Sequence, residues 1–222
     1  MKVCRLLNLA LSACLLSAVA FTVATDARAQ GNANFEAGIA AYRANDLPLA
    51  YKAFLAAAKE GHADSQFNVA LMYERGIGVG KDEKEAVVWY GKSASQGNAA
   101  SQFNLGVLYE NGRGTEIDFV KANEWYRRAS VQGDALAIGN LGMLYVRGQG
   151  VKENKIAGAA LLLLSATLDR SPENHAKQNL SRTPGLTSEM VVAAQALSEK
   201  FSSAKNLLVP LDQYLMESDN SK

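Results

Sequence analysis

SQFNLGVLYENGRG, residues 101–114, is the stretch that decides the fold, because close copies of it occur on both sides. SQFNVALMYERGIG occupies residues 65–78, and AIGNLGMLYVRGQG occupies residues 137–150. Neighbouring copies are offset by 36 residues, from 65 to 101 and from 101 to 137. Self-similarity at a period of about 20–50 residues is typical of stacked repeats. The sequence therefore predicts a repeat protein.

Each repeat is predicted to contain two helices. In the first, apolar residues fall at the spacings of one helical face, and a Gly-x-Gly follows that ends the helix. An N-cap residue then recurs where the second helix begins, as Asp82, Asp118 and Asn154. Gly97 and Gly133 end the second helices of the first two repeats. The fold class is therefore predicted to be all-α, a right-handed superhelical solenoid of helix-turn-helix repeats.

Small and aromatic residues recur in step with the repeat. The small side chains are predicted to let two helices approach closely, and they are Ala70, Gly106 and Gly142. Trp89 with Tyr90, and Trp125 with Tyr126, are predicted to fill the space between neighbouring units. A further tyrosine per repeat is predicted to be in the core, at Tyr73, Tyr109 and Tyr145.

The repeat divides the chain into segments. Residues 30–62 are predicted to form a partial first unit, with a helix over 34–44 and a turn at Asn45-Asp46. Residues 63–170 form three full repeats, and residues 171–217 form C-terminal capping helices over about 171–181, 187–203 and 207–216. Residues 218–222 are predicted to be a frayed tail.

Residues 1–29 have the pattern of a cleavable export signal. Lys2 and Arg5 precede an apolar run over residues 6–23, and Ala27-Arg28-Ala29 offers small residues for cleavage after Ala29. Cleavage there predicts a periplasmic protein without an integral membrane span. Lipid anchoring at Cys14, an uncleaved anchor and secretion remain as alternatives. Both cysteines, Cys4 and Cys14, lie in this segment, so the mature chain would have no disulfide or thiol.

The charge of the mature chain argues against nucleic acid. Removing Lys2, Arg5, Arg28 and Asp26 from the 23 basic and 22 acidic residues leaves 20 basic and 21 acidic ones. A protein that binds nucleic acid needs a basic surface to displace counterions, and no cluster of Lys and Arg occurs here. Nucleic acid is therefore excluded as a partner.

Catalytic groups are scarce, which predicts a protein that is not an enzyme and needs no cofactor or metal. His62 and His175 are the two histidines, and neither lies beside a nucleophile in the sequence. Clustered metal ligands are missing as well. Ser202-Ser203-Ala204-Lys205 and Ser218-Asp219-Asn220 fit two motifs of penicillin-binding proteins, but the Lys-Thr-Gly motif that completes the set is missing. We interpret both matches as accidental.

The second repeat resembles the Sel1-like repeat, a relative of the tetratricopeptide repeat. It contains Asn-Leu-Gly-x-Leu-Tyr-x-x-Gly-x-Gly at 104–114, then Asp118, Lys121-Ala122-x-x-Trp125-Tyr126 and Gln132-Gly133-Asp134. The first repeat departs at Glu85, where the family has Lys, and the third has Leu161-Leu162 instead of Trp-Tyr. The resemblance covers about residues 35–169, and residues 171–201 resemble the closing helices of bacterial members.

The resemblance implies a function class. Exported bacterial Sel1-like proteins are typically adaptors or regulators that bind another protein in the periplasm or at the host interface. Some members are linked with penicillin binding, so a protein that binds the cell wall, through peptidoglycan or penicillin, is one alternative by analogy. A secreted factor that engages host proteins is another.

A partner is expected on the concave surface formed by the first helices, where an asparagine recurs at Asn68, Asn104 and Asn140. An amide side chain both donates and accepts, which suits the backbone of an extended peptide. Arg75 and Arg147 lie nearby in sequence and are expected to pair with a carboxylate. The alternative is structural, with the asparagines tying adjacent repeats together and the arginines simply solvated.

Overall fold

The computed structural model describes residues 30–220, in which every regular element is a helix. The predicted export signal, the cleavage site and Cys14 lie outside the described residues. The helices are α1 at 30–43, α2 Leu47–Lys59, α3 Ala63–Arg75, α4 Glu83–Ser95, α5 Ala99–Asn111, α6 Phe119–Val131, α7 Ala135–Arg147, α8 Lys155–Leu168, α9 Ala176–Ser181, α10 Ser188–Ser203 and α11 Leu208–Asn220. The chain forms two compact units that meet in sequence between Asp82 and Glu83.

The first unit contains α1, α2 and α3. Asn45 adopts a left-handed backbone with φ 59° in the turn after α1, and Asp46 caps α2 by accepting a hydrogen bond from the Leu49 amide at 3.1 Å. The turn therefore lies where the sequence predicts it. The Tyr51 and Tyr73 hydroxyls, 2.6 Å apart, join α2 to α3. Tyr73 is only half-buried, so it belongs to the edge of the packing and not to its centre.

The second unit has its core where α6, α7 and α8 meet, and α10 and α11 contribute Phe201 and Leu211 to the same cluster. Small residues set the helix spacing here. A Cβ added to Gly106 of α5 would lie 2.6 Å from the Tyr126 ring of α6, and one added to Gly142 of α7 would lie 2.8 Å from the Gly158 carbonyl oxygen of α8. The close approach predicted for these two glycines is confirmed.

The aromatic pairs of the first two repeats differ in burial, because Trp89 is buried and Trp125 is only half-buried. Tyr90 and Tyr126 are fully buried. Trp125 is half-buried, and the Arg128 guanidinium lies over its ring at 4.5 Å from the centroid. The sequence predicted that both members of each pair fill the space between neighbouring units, and Trp125 remains partly exposed beside Arg128 of its own helix.

The Gly-x-Gly loops need both of their glycines. Gly112 and Gly148 end α5 and α7 in the left-handed conformation, with φ of 66° and 65°. The second glycines, Gly114 and Gly150, are also left-handed, and a Cβ there would collide with the backbone of Glu83 and of Phe119. Each loop in this unit therefore packs against the first turn of the preceding repeat's second helix, which leaves no room for a side chain.

Two series of N-caps start the helices. Asp118 and Asn154 cap α6 and α8, accepting from the amides of Lys121 and Ala157. The first helices have a second series, in which His62, Asn98 and Asp134 accept hydrogen bonds from residues three positions later. His62 caps α3 through its ring Nδ1, at the repeat position where Asn98 and Asp134 use side-chain oxygens.

The C-terminal region differs from the sequence prediction at two points. The helix expected to begin at Ser171 begins at Ala176, because the Asp169 carboxylate and the Asn174 side chain hold the backbone between them in a turn. Residues 218–220, expected to fray, continue α11. Ser218 bonds to Asn154 and Asp219 pairs with Lys152, which fixes the end of the helix. Helices α9, α10 and α11 all contact α8.

Residues 30–220 contain no helix that combines the length and the apolar character needed to cross a bilayer.

Candidate partner-binding surface

The first helices present a half-exposed face that is partly apolar and partly amide. We call this the first-helix face and define it, in the second unit, by one asparagine and two apolar residues per helix: Phe103, Asn104 and Val107 on α5, and Leu136, Asn140 and Met143 on α7. Positions three and four apart lie on the same side of a helix, so each set forms one stripe. Such a stripe offers apolar contact next to groups that donate and accept hydrogen bonds.

Asn140 is tied to the preceding repeat. Its Nδ2 donates to the Tyr126 hydroxyl at 3.1 Å, and that hydroxyl donates to Glu110 at 2.6 Å. Burial and the neighbouring Glu110 carboxylate raise the pKa of Tyr126, so the phenol remains a donor throughout the accessible pH range. At Asn140 the contacts therefore favour the structural alternative, since its amide joins α7 to α6.

Asn104 occupies the same place one repeat earlier but is held differently. Its Nδ2 donates to the Ala100 carbonyl of its own helix at 2.9 Å. In residues 30–220 its side-chain oxygen accepts no hydrogen bond, and the residue is half-exposed. The Asn104 amide is therefore more available to a partner than that of Asn140.

Asn68 lies on α3 in the first unit, half-exposed beside Phe67 and Leu71, which are also half-exposed. The pattern of apolar residue, asparagine and apolar residue thus recurs on α3.

Arg75 and Arg147 are exposed in the last turns of α3 and α7. Neither forms an ion pair with another described residue. A cation at a helix C-terminus interacts favourably with the helix dipole, which is a structural reason for arginine at these positions. Their exposed guanidinium groups also fit a role in contacting an acidic group of a partner.

A polar network on the other side of the second unit was not found from the sequence. Arg127 of α6 donates to both carboxylate oxygens of Asp212 at 2.6 Å and approaches the Tyr145 hydroxyl at 3.4 Å. A groove of about 450 Å³ lies beside it, between the α7–α8 loop and α11. One signal was present: the position of Arg127 is held by Gly91 and Leu163 in the neighbouring repeats, so this arginine interrupts the pattern.

Three described side chains of the kinds used in catalysis have structural contacts. His62 caps α3, and the Ser202 hydroxyl donates to the Glu199 carbonyl within α10. Ser218 donates to the Leu215 carbonyl in α11. Within residues 30–220, no three His, Cys, Asp or Glu side chains cluster in a way that could hold a metal ion.

Comparison with known families identifies the repeat. The Sel1 repeat model matches three consecutive segments, residues 63–98, 99–134 and 135–169. These bounds place α3 with α4, α5 with α6, and α7 with α8 in successive repeats. A search of curated protein sequences finds no match.

Two solved structures of bacterial proteins are similar to the chain. One is a Sel1 repeat protein from Oxalobacter formigenes, with 31% identity over 69% of this chain and a TM-score of 0.56. The other is c5321, a protective antigen present in uropathogenic Escherichia coli strains that displays an SLR fold, with 24% identity over 84% of this chain and a TM-score of 0.54. The matched regions cover 64% and 48% of those two chains, so the chain spans less than two thirds of each.

Proposed function

Because the chain carries three Sel1 repeats, which places it among the Sel1-repeat proteins, we propose that it is a non-enzymatic adaptor or regulator that binds another protein or an extended peptide. Sel1-repeat folds commonly mediate protein–protein interaction. The proposed place of action is the periplasm, and the support for this is the export-signal pattern of residues 1–29.

The observation that carries the proposal is the first-helix face. Phe103 and Val107 flank Asn104 on α5, and Leu136 and Met143 flank Asn140 on α7, all half-exposed. Peptide-recognition surfaces combine apolar pockets for side chains with groups that bond to the peptide backbone, and this face has both. The exposed Arg147 at the end of α7 adds a cation that suits an acidic group of the partner.

The test is a crosslinking pull-down from cells that export the full chain. The informative variant is Asn68→Ala with Asn104→Ala, which leaves Asn140 in place because its amide bonds to Tyr126. Gln213→Ala is the matched control, since it removes an exposed amide from α11, away from the first-helix face. Helicity of every variant is checked by circular dichroism before capture.

A partner that is lost with the double variant and kept with Gln213→Ala supports binding through the first-helix face. If the same partners persist with the double variant, the asparagines do not bind them and that surface assignment is wrong. Adding Phe103→Ala to the double variant then tests the apolar part of the face separately from its amides.

A further inference from the structure

Helix α11 packs against the third repeat, on a surface separate from the first-helix face. Asp212 pairs with Arg127, Asp219 pairs with Lys152 and Ser218 bonds to Asn154. Apolar residues of both sides join the same cluster, with Tyr214 and Leu215 from α11 and Val151 and Ile156 from the third repeat. The third repeat therefore binds a helix through an apolar centre with a polar contact at each end. We call this the third-repeat groove.

The same positions one repeat earlier, on α4, the α5–α6 loop and the first turn of α6, leave three large apolar side chains exposed. Subtracting 36 from the contact positions gives Gly91 for Arg127, Glu116 for Lys152 and Val120 for Ile156, with Val88 and Ile117 alongside. Val88, Ile117 and Val120 are 48%, 60% and 55% exposed, and a Cβ on Gly91 would meet nothing within 4 Å. We call this the second-repeat groove. Val120 is left in water where its counterpart Ile156 packs in the cluster that α11 joins. The third repeat has the exposed Glu124 and Glu153 at the positions of Val88 and Ile117, so the surface of the second repeat is the more apolar of the two.

The charges differ between the two grooves, which constrains the occupant. Where Arg127 holds an aspartate, Gly91 offers no cation and leaves space for a bulkier apolar side chain. Where Lys152 holds Asp219, Glu116 presents a carboxylate that forms no ion pair within residues 30–220. Asp118 is already paired with Lys121 at 3.1 Å. A second copy of α11 would place Asp219 against Glu116, and like charges in contact weaken binding.

We propose that the second-repeat groove binds an amphipathic helix of another protein, apolar along its contacting face and bearing Lys or Arg near its C-terminal end. Helices bind in grooves through anchors at spacings of three, four and seven residues, and the exposed valines and Ile117 suit such anchors. A cation at the C-terminal end of that helix pairs with Glu116 and also interacts favourably with the helix's own dipole. The proposal rests on a protein-binding role but uses a surface separate from the first-helix face.

The probe is a synthetic peptide of residues 207–220 that carries Asp212→Leu and Asp219→Lys, labelled and titrated against the mature chain by fluorescence anisotropy. The unchanged peptide is the control probe. We expect the changed peptide to bind up to about fivefold more tightly, since exposed charge pairs contribute up to about 1 kcal/mol. Replacing Glu116→Lys in the protein is expected to reverse the order of the two peptides.

The apolar contact is tested with the double variant Val88→Gln plus Val120→Gln. We expect this variant to bind the changed peptide about tenfold more weakly, because burial of the two valines contributes at least about 1.4 kcal/mol. Val192→Gln is the matched control, since Val192 is 65% exposed on α10.

Equal binding to all variants, or no binding of the changed peptide, overturns the proposal. Loss of binding with Arg127→Ala also overturns it, because the peptide would then occupy the third-repeat groove. None of these variants changes Asn68 or Asn104, so this experiment tests the second-repeat groove independently of the first-helix face.

Discussion

Glycine is required in the loops for two different reasons. Some positions need a left-handed backbone, and some also leave no room for a Cβ atom. Gly150 has both, because its φ is 68° and a Cβ would collide with Phe119. Gly133 has only the first, with φ of 84° and nothing within 4 Å of a Cβ. The pair therefore separates backbone strain from steric collision.

We expect Gly133→Ala to lower the free energy of unfolding by about 1–2 kcal/mol, the cost of a left-handed alanine. Gly150→Ala is expected to cost about 1–3 kcal/mol more, because the α7–α8 loop must also move away from α6. Urea unfolding followed by circular dichroism measures both. If both variants lower the free energy of unfolding equally, the α7–α8 loop can move at no energetic cost and its close contact with α6 does not contribute to stability.

The N-caps Asp118 and Asp134 are expected to respond to pH in opposite directions. Hydrogen bonds from the Lys121 backbone amide and ammonium lower the pKa of Asp118 below 3.8, so its contribution is present above that value and is lost as pH falls through the folded pKa. Burial raises the pKa of Asp134 above 3.8, despite hydrogen bonds from the Ala137 and Leu136 amides. The ionised Asp134 is thus disfavoured in the fold, and stability falls as pH rises through the raised pKa.

The measurement is the free energy of unfolding of the wild type, Asp118→Asn and Asp134→Asn between about pH 2 and about pH 7, a range that extends to both sides of the ordinary aspartate pKa. Asparagine caps a helix about as well as aspartate, so each change chiefly removes the charge. From low to high pH, the wild type should gain stability relative to Asp118→Asn and lose it relative to Asp134→Asn. Parallel curves would contradict the assigned environments.

The residue scale also shows where sequence reasoning succeeded. The left-handed glycines and the caps Asp118 and Asn154 were predicted because their requirement is local, set by the backbone at that residue. The different bonding of Asn104 and Asn140 was not predicted, because the two share one repeat position. Only Asn140 reaches the Tyr126 hydroxyl, and a repeat pattern does not encode that difference.

At the scale of elements, the sequence predicted the repeat helices well and α11 poorly. Helices α3 to α8 follow from a pattern that occurs three times, so each copy supports the others. Helix α11 has no such pattern, and it extends to Asn220 because Lys152 and Asn154 hold its last turn. Its length depends on residues more than 60 positions away in sequence, as the bond between Asn154 and Ser218 shows. Local helix propensity cannot predict such distant contacts.

The attachment of α11 gives a prediction about one element. Asp212→Asn is expected to weaken the bond to Arg127, whose side chain is only 22% exposed, by about 1 kcal/mol. Amide hydrogens of α11 should then exchange about fivefold faster, while those of α7 keep their protection, since local opening is confined to the loosened element. Hydrogen exchange read by mass spectrometry resolves the two helices.

Asp219→Asn is the comparison, because its pair with Lys152 is more than half-exposed on both sides. It should alter exchange less than Asp212→Asn does. If α7 and α8 lose protection together with α11 in Asp212→Asn, the helix is not a separately opening element and the Arg127 contact stabilises the whole second unit.

Over the whole molecule, stability after residues 1–29 are removed has to come from non-covalent contacts. The core of the second unit is distributed over α6, α7, α8, α10 and α11, and most of its buried residues come from the third repeat. In such arrays stability is approximately a sum of repeat and interface contributions. The chain from Gln30 onward contains no cysteine, so no covalent crosslink can add to that sum.

The location of the protein in the cell depends on how the segment of residues 1–29 is processed. We expect the exported protein to begin at Gln30, so intact-mass measurement of the periplasmic fraction should give the mass of residues 30–222, and its thermal midpoint should be unchanged by a reductant. Cys14→Ser should leave that mass and location unaltered, because cleavage after Ala29 does not involve a thiol. A lipid anchor at Cys14 predicts the opposite, a heavier membrane-bound product that Cys14→Ser abolishes. The two products differ by the apolar run after Cys14 as well as by the lipid, so a single mass spectrum separates them.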